Sequence, residues 1–205
     1  MVNAIIFDFG DVFINKNNDA KRNAFAALGL TEWTKDMERL ETRLETGKIK
    51  EEGFLQAMQE FVPHATTKEI KAAWNAGMGE FPLYRLEFLQ KLSENYRLFL
   101  LSNTDPIHIE KFERDVEASF YSDFYQCFEK IYFSHEIGIR KPDAEAFTYL
   151  INKHDIQPKR TLVIDDKKFN TDAAKALGFQ VWNLQVNEED VTELFDKEVL
   201  SLDEV

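Results

Sequence analysis

Short apolar runs recur along the chain at a length typical of β-strands. They have the composition of strands buried on both faces of a sheet, and two later runs are rich in β-branched and aromatic residues. Together they predict one buried sheet. The predicted strands are Ala4–Phe7, Arg97–Leu101, Lys130–Phe133, Thr161–Ile164 and Gln180–Leu184.

Helical patterns separate the later strands. Pro142, followed by Asp143 and Glu145, predicts a helix with proline in its first turn and acidic residues at the positive end of its dipole. A short helix over Asn170–Leu177 is closed by Gly178. Strands that alternate with helices indicate a parallel sheet with right-handed crossovers. The predicted fold class is therefore α/β, a doubly wound parallel sheet.

Residues 16–81 interrupt this alternation with an all-helical pattern. We therefore expect an α/β core domain of residues 1–15 and 82–205, and an inserted four-helix cap domain of residues 16–81. The insertion follows the carboxyl end of the first strand, where doubly wound sheets bind ligands, so it could close over a site. The predicted cap helices are Ala20–Leu28, a helix from Thr31 to near Gly47, Lys50–Phe61, and a helix opened by a capping box at Thr66–Glu69.

The composition narrows the classes of partner. The chain has 205 residues and a formal net charge of -12, which argues against non-specific binding to nucleic acid or anionic lipid. Cys127 is the only cysteine, so no intrachain disulfide can form. The first apolar run is a poor signal peptide, and no run approaches the ~20 apolar residues of a membrane span. We expect a cytoplasmic protein with a small-molecule substrate; no protein partner is indicated.

Polar residues stand directly at the ends of four predicted strands. They are Asp8, Ser102-Asn103, Lys141 and Asp165-Asp166. Each alone is ordinary loop chemistry, but the ends of parallel neighbours lie along one edge of a sheet. Three carboxylates there would repel one another without a cation, and hard oxygen ligands suit Mg²⁺. A hydroxyl, backbone amides and a lysine are the donors that a phosphoryl group needs.

These stretches resemble the four motifs of the haloacid dehalogenase superfamily. DFGDV resembles the first motif, LLSNT the second, RKPDAEAF the third and VIDD the fourth, and the helical insertion resembles the small α-helical cap of its subfamily IA. The chain from LLSNTD to VIDDKKFNTDAAKALG is especially similar to sugar phosphatases of the α-glucose-1-phosphate type. The resemblance spans nearly the whole chain and implies a Mg²⁺-dependent phosphatase acting on a small phosphorylated metabolite.

The resemblance also implies roles for the motif residues. Asp8 would be the nucleophile that forms an aspartyl-phosphate. Mg²⁺ would be held by Asp8, the Gly10 carbonyl and Asp166, with Asp165 a further ligand or an outer hydrogen-bond acceptor. Asn170 stands where the family often has another acid or amide near the metal.

The second and third motifs would bind the phosphate. Ser102 and the Asn103 amide would donate to the phosphoryl oxygens. Lys141 would pair with Asp8 and the phosphate, which lowers the repulsion between two anions as they approach.

One residue departs from the family pattern. Related phosphatases usually carry a second aspartate two places after the nucleophile, which protonates the leaving group, and here that position is Gly10. Asp11 is one place further and would normally point elsewhere. Loss of a positioned general acid typically costs ~10²–10⁴ in rate. Gly10 therefore favours good leaving groups or a slow enzyme.

Two other functions remain open. Related 2-haloacid dehalogenases use the first aspartate without a metal and without the second acid. They have no use for an acidic pair such as Asp165-Asp166, which favours the phosphatase. A non-catalytic protein that binds a phosphorylated ligand is the third alternative, although it would not need a nucleophile.

Overall fold

Five parallel strands form a sheet in the computed structural model, which describes residues 2–197. The strand order is β3-β2-β1-β4-β5, so β1 lies at the centre and the chain winds outward in both directions from it. This order confirms the predicted doubly wound α/β fold. The strands are β1 Ala4–Phe7, β2 Arg97–Ser102, β3 Lys130–Phe133, β4 Thr161–Asp165 and β5 Gln180–Asn183.

Apolar residues of β1 point alternately to the two faces of the sheet, as a pleated strand requires. Ile5 and Phe7 pack into one apolar cluster, and Ala4 and Ile6 pack into another on the opposite face. Helices cover both clusters. They are α5 Leu83–Ser93, α6 Pro106–Asp115, α7 Ala118–Gln126, α8 Ser134–Ile137, α9 Ala144–His154 and α10 Lys168–Ala176, with 3-10 helices over Pro158–Arg160 and Val191–Lys197.

Helix α9 begins later than the sequence predicted. Its first residue is Ala144, with Asp143 at the N-cap, so Pro142 precedes the helix and does not lie in its first turn. A residue directly before a proline rarely adopts helical backbone angles. The proline itself can stand either before or after the N-cap residue of a helix. Helix α10 begins at Lys168, two residues before the predicted start, and Gly178 after it has the expected left-handed φ of 90°.

The insertion contains four helices, as predicted, around an apolar cluster that also includes Ile107 of α6. Phe25, Phe54, Met58 and Trp74 are the large buried members of that cluster. The helices are α1 Asn18–Ala27, α2 Lys35–Glu45, α3 Glu51–Gln59 and α4 Thr67–Asn75. The division into core and cap domains stays a prediction, and its residues 1 and 198–205 lie outside the described range.

The capping predictions for the insertion had mixed outcomes. The capping box at Thr66 and Glu69 is present at the start of α4. The cap predicted at Thr31 is wrong, because α2 starts after Thr34, whose side chain accepts a hydrogen bond from the Met37 amide. Residues before Thr34 are held out of the helix by Trp33, whose indole packs against other aromatic side chains of the insertion.

Two short segments connect the insertion to the sheet, and they pair with each other in antiparallel fashion. The amide of Asn17 donates to the Gly77 carbonyl at 2.8 Å, and the amide of Gly79 donates to the Asn15 carbonyl at 2.8 Å. A Cβ on Gly79 would lie 2.5 Å from the Asn15 carbonyl oxygen, so this close approach requires glycine. The pairing fixes Lys16, which lies between these bonds, beside the carboxyl end of β1.

Candidate active site

Asp8 and Lys141 meet at the carboxyl end of the sheet. The Lys141 ammonium lies 2.9 Å from Oδ1 of Asp8 and 2.6 Å from Oδ2 of Asp165, and all three residues are buried. Burial opposes a charge on Lys141, but the two carboxylates outweigh it and raise the pKa of the ammonium. The structure thus joins the predicted first, third and fourth motifs by direct ion pairs.

Asn103 holds Lys141 in position through its side chain. Its Nδ2 donates to the Lys141 carbonyl at 2.8 Å, and its Oδ1 accepts from the Lys141 amide at 2.9 Å. The two bonds tie the end of β2 to the loop before α9, although the residues are far apart in sequence. The sequence predicted only the Asn103 backbone amide as a phosphate donor, and this positioning role was not foreseen.

The two aspartates of the fourth motif have different surroundings. Asp165 accepts hydrogen bonds from Lys141, from the Lys167 amide at 2.8 Å and from Asn170 Nδ2 at 3.0 Å. Burial raises the pKa of Asp165, the Lys141 charge opposes that rise, and the Asp8 charge adds to it. Both carboxylate oxygens of Asp166 are buried, and among the described residues the Lys167 ammonium, 2.6 Å from Oδ2, is their only partner.

This arrangement fits a divalent cation. Asp8, Asp165 and Asp166 each offer a carboxylate oxygen, and these oxygens lie within 4.8 Å of one another. Buried oxygens without hydrogen bonds are costly unless something else compensates them, and those of Asp166 have only the Lys167 charge. Both carboxylate oxygens of Asp165 already accept hydrogen bonds. The donor set therefore favours Asp8 and Asp166 over Asp165 as direct ligands of Mg²⁺.

Gly10 leaves a space that a lysine fills. An ideal Cβ at this position would lie 1.9 Å from Cε and 2.1 Å from Nζ of Lys16. The Gly10 backbone lies outside the left-handed region, so its conformation does not require glycine. A larger residue at this position would instead collide with the Lys16 side chain. Asp11 points elsewhere: its Oδ1 accepts from the Lys16 amide at 2.8 Å.

A cavity of about 140 Å³ lies between the insertion and this end of the sheet. Its floor includes Gly10, Ser102 and Asn103, and its other walls combine polar and charged side chains with apolar ones such as Phe9 and Met78. The insertion side includes Lys16, Asn18, Lys21, Glu41 and Glu45. Four other aromatic or basic residues of the insertion do not line this cavity: Trp33, Arg39, Arg43 and Lys48.

Two sets of contacts hold the insertion over the cavity. Arg140, directly before Lys141, forms an ion pair with Glu45 at 2.9 Å and donates to the Thr42 hydroxyl at 3.0 Å. On the opposite side the Trp74 indole donates to Asp105 at 3.1 Å. No sequence pattern marked Lys16 or Glu45, because each stands in polar sequence far from the motifs and reaches the site only through tertiary packing.

Comparison with known proteins agrees with this architecture. Residues 2–178 match the haloacid dehalogenase-like hydrolase family. A D-ribitol-5-phosphate phosphatase of Bacteroides thetaiotaomicron is 30% identical over 191 residues, which cover 89% of this chain and 91% of that protein. Among the described residues, no helix is long and apolar enough to span a membrane.

Two crystal structures of a HAD family enzyme from the same organism are closely similar. Its magnesium complex has a TM-score of 0.85 and 30% identity, covering 96% of this chain and 99% of that chain. Its complex with magnesium and inorganic phosphate has a TM-score of 0.81 and 29% identity, covering 95% and 100%. The sequence match and the fold together show that this chain belongs to the haloacid dehalogenase-like hydrolase family.

Proposed function

We propose that this chain, a Mg²⁺-dependent phosphatase, hydrolyses the phosphate ester of a short polyol or sugar with Asp8 as its nucleophile. The observation that carries the proposal is the buried Asp166 carboxylate, which among the described residues pairs only with Lys167 and has an oxygen within 4.8 Å of carboxylate oxygens of Asp8 and Asp165. A cation at these oxygens would compensate them. Subfamily assignment and a cytoplasmic location stay predictions.

Asp8, the Gly10 carbonyl and Asp166 would hold Mg²⁺, and Asp165 would orient Lys141 from outside. When bound, the ion would neutralise charge on the phosphoryl group and the carboxylates around it. Among the described residues, the three carboxylates form ion pairs with Lys141 and Lys167 alone, which leaves an excess of negative charge. That excess is the physical reason for a cation there.

The chemistry would proceed in two steps. A carboxylate oxygen of Asp8 attacks phosphorus, the ester P–O bond breaks, and its electron pair goes to the leaving oxygen. Lys141 lowers the repulsion between Asp8 and the phosphate, while Ser102 and the Asn103 amide donate to phosphoryl oxygens. Water then hydrolyses the aspartyl-phosphate, which releases inorganic phosphate and regenerates Asp8.

The cavity supports a short, hydroxylated substrate. About 140 Å³ is below the usual range of ~300–1,000 Å³ for ligand pockets. Its walls carry both ammonium and carboxylate groups, Lys21 and Glu41 among them, which can bind several hydroxyl groups at once. The similarity to a D-ribitol-5-phosphate phosphatase supports the same class.

The test is phosphate release from a panel of esters with Mg²⁺ and with EDTA. The panel holds ribitol 5-phosphate, other pentitol and pentose phosphates, hexose 1- and 6-phosphates, and a nucleotide. We expect the highest kcat/KM for five-carbon polyol or sugar phosphates and no turnover with EDTA. Absence of phosphate release from every ester, with purified folded protein and Mg²⁺, would overturn the proposal.

The dehalogenase alternative is tested in the same samples. Halide release from a 2-haloacid that persists in EDTA would favour it. The structure gives no support to that activity, because a metal-independent enzyme has no use for the buried Asp166 carboxylate. Binding of phosphate esters without turnover would instead favour the non-catalytic alternative.

A further inference from the structure

Lys16 is a cation that lines the cavity and touches Gly10. In the described part of the chain its ammonium has no ion pair within 4 Å, although the loop is rich in polar residues. Its side chain instead crosses the face of Gly10 and lines the cavity beside Ser102 and Asn103. An unpaired ammonium in this position is available to a ligand.

The backbone around Lys16 is well fixed. Its amide donates to Asp11 Oδ1 at 2.8 Å, and the flanking residues Asn15 and Asn17 pair with residues 77–80. Lys16 is therefore held at the junction of the sheet and the insertion. From this fixed backbone the side chain places its ammonium beside Gly10.

The position of the ammonium relates it to the leaving group. It stands where a side chain at Gly10 would begin, in the cavity that Ser102, which we assign to the phosphoryl group, lines together with Lys21 and Glu41, which we assign to the substrate hydroxyls. The ester oxygen joins those two parts of any phosphate ester. A group at this boundary faces the oxygen whose bond to phosphorus breaks.

We propose that Lys16 is a catalytic residue that donates to the leaving-group oxygen in place of the acid that Gly10 lacks. This inference rests on the proposed phosphatase function. As Asp8 forms its bond to phosphorus, the ester P–O bond breaks and its electron pair moves to the oxygen. Lys16 hydrogen-bonds that oxygen and passes it a proton, and the amine regains a proton from the water that later attacks the aspartyl-phosphate.

The test compares leaving groups in wild type and Lys16→Met. Methionine keeps the length of the side chain and removes the ammonium. Rates are measured on aryl phosphates of rising leaving-group pKa and on ribitol 5-phosphate, with Mg²⁺ affinity by calorimetry and folding by circular dichroism. We expect a ~10²-fold loss on the alkyl ester, a loss of only a few fold on 4-nitrophenyl phosphate, and unchanged Mg²⁺ affinity.

A chemical rescue gives the matched control. Lys16→Cys should show the same selective loss, and alkylation with 2-bromoethylamine, which rebuilds an ammonium at nearly the same length, should restore the alkyl ester rate. Wild type treated with the same reagent controls for reaction at Cys127, which is buried. Lys21→Met removes a different cavity ammonium, one that we assign to the substrate hydroxyls. It should slow ribitol 5-phosphate and leave the dependence of the aryl phosphate rates on leaving-group pKa as in wild type.

The outcomes separate the two proposals. A wild type that releases no phosphate from any ester refutes the proposed function. A wild type that is active, with a folded Lys16→Met that keeps the same dependence on leaving-group pKa, refutes the role of Lys16 alone. Equal losses on all esters together with changed Mg²⁺ affinity would also refute it, because they would make Lys16 an electrostatic influence on the metal.

Discussion

Nη2 of Arg140 lies 2.9 Å from Oε2 of Glu45, and this ion pair joins the loop that carries Lys141 to the end of α2 in the insertion. Only 15% of the Glu45 side chain is exposed. Burial raises the pKa of Glu45 from 4.5 to about 7; Arg140 and Lys16 oppose the rise, and the charges of Glu41 and Asp105 add to it. The contact that closes the cavity therefore contains a carboxyl group that titrates near neutral pH.

The first prediction concerns stability against pH. A raised pKa means that the folded state holds a proton that the unfolded state has lost between about pH 4.5 and 7, so stability falls as pH rises through that window and levels off above it. The difference in free energy of unfolding between wild type and Glu45→Gln, wild type minus variant, should fall by at most about 3 kcal/mol as the pH rises through this window. Urea unfolding at several pH values from 5 to 8 measures it.

Glu38→Gln is the control for that experiment. It removes a glutamate charge from an exposed position on the same helix. The difference in free energy of unfolding between wild type and Glu38→Gln should therefore stay constant with pH. A difference between wild type and Glu45→Gln that stays flat, or that rises with pH, would contradict the raised pKa.

The second prediction concerns Lys141. Lys141→Met leaves Asp8 and Asp165 buried without their shared cation, so the free energy of unfolding should fall by about 3–5 kcal/mol without metal. Addition of Mg²⁺ should recover part of that loss in urea unfolding. Lys168→Met, which removes an exposed lysine, should change it by no more than about 0.5 kcal/mol. If Lys141→Met lost no more stability than Lys168→Met, the ion pairs of Lys141 with Asp8 and Asp165 would contribute little to the free energy of unfolding.

The sequence predicted the sheet and the motif residues because both depend on local patterns. Buried parallel strands are continuous apolar runs, and residues at their carboxyl ends must lie near one another in this fold. That is why Asp8 and Asp165 could be placed together before their distances were known. The prediction that Lys141 stands directly at the end of a strand is wrong, because β3 ends at Phe133 and α8 intervenes. Lys141 reaches Asp8 from the loop before α9.

The other parts of the site depend on packing that no local pattern reveals. Lys16 reaches Gly10 because the two connecting segments pair, and Glu45 reaches the cavity because α2 ends against Arg140. The start of α2 was misplaced for a similar reason, since Trp33 packs against Phe25 and Trp74 and keeps the chain before Thr34 extended. Such contacts join residues through the tertiary fold.

The third prediction concerns the nucleophile. Asp8→Asn should reduce phosphate release by at least ~10⁴-fold, because an amide is nearly isosteric with a carboxylate but a poor nucleophile. Circular dichroism should show an intact fold. Asp172→Asn, which changes an exposed aspartate on α10, should keep wild-type turnover. More than a trace of activity in folded Asp8→Asn would exclude Asp8 as the nucleophile.

The last prediction separates the two aspartates of the fourth motif by calorimetric titration with Mg²⁺. Asp165 is surrounded by donors, and Asp165→Asn should weaken Mg²⁺ binding by about 10–100-fold through the loss of its support for Lys141. Among the described residues the buried Asp166 oxygens pair only with Lys167. Asp166→Asn should therefore weaken binding further while stabilising the metal-free protein, because it removes a buried and poorly compensated charge. Tighter Mg²⁺ binding by Asp166→Asn than by Asp165→Asn would reverse the assignment and make Asp165 the direct ligand.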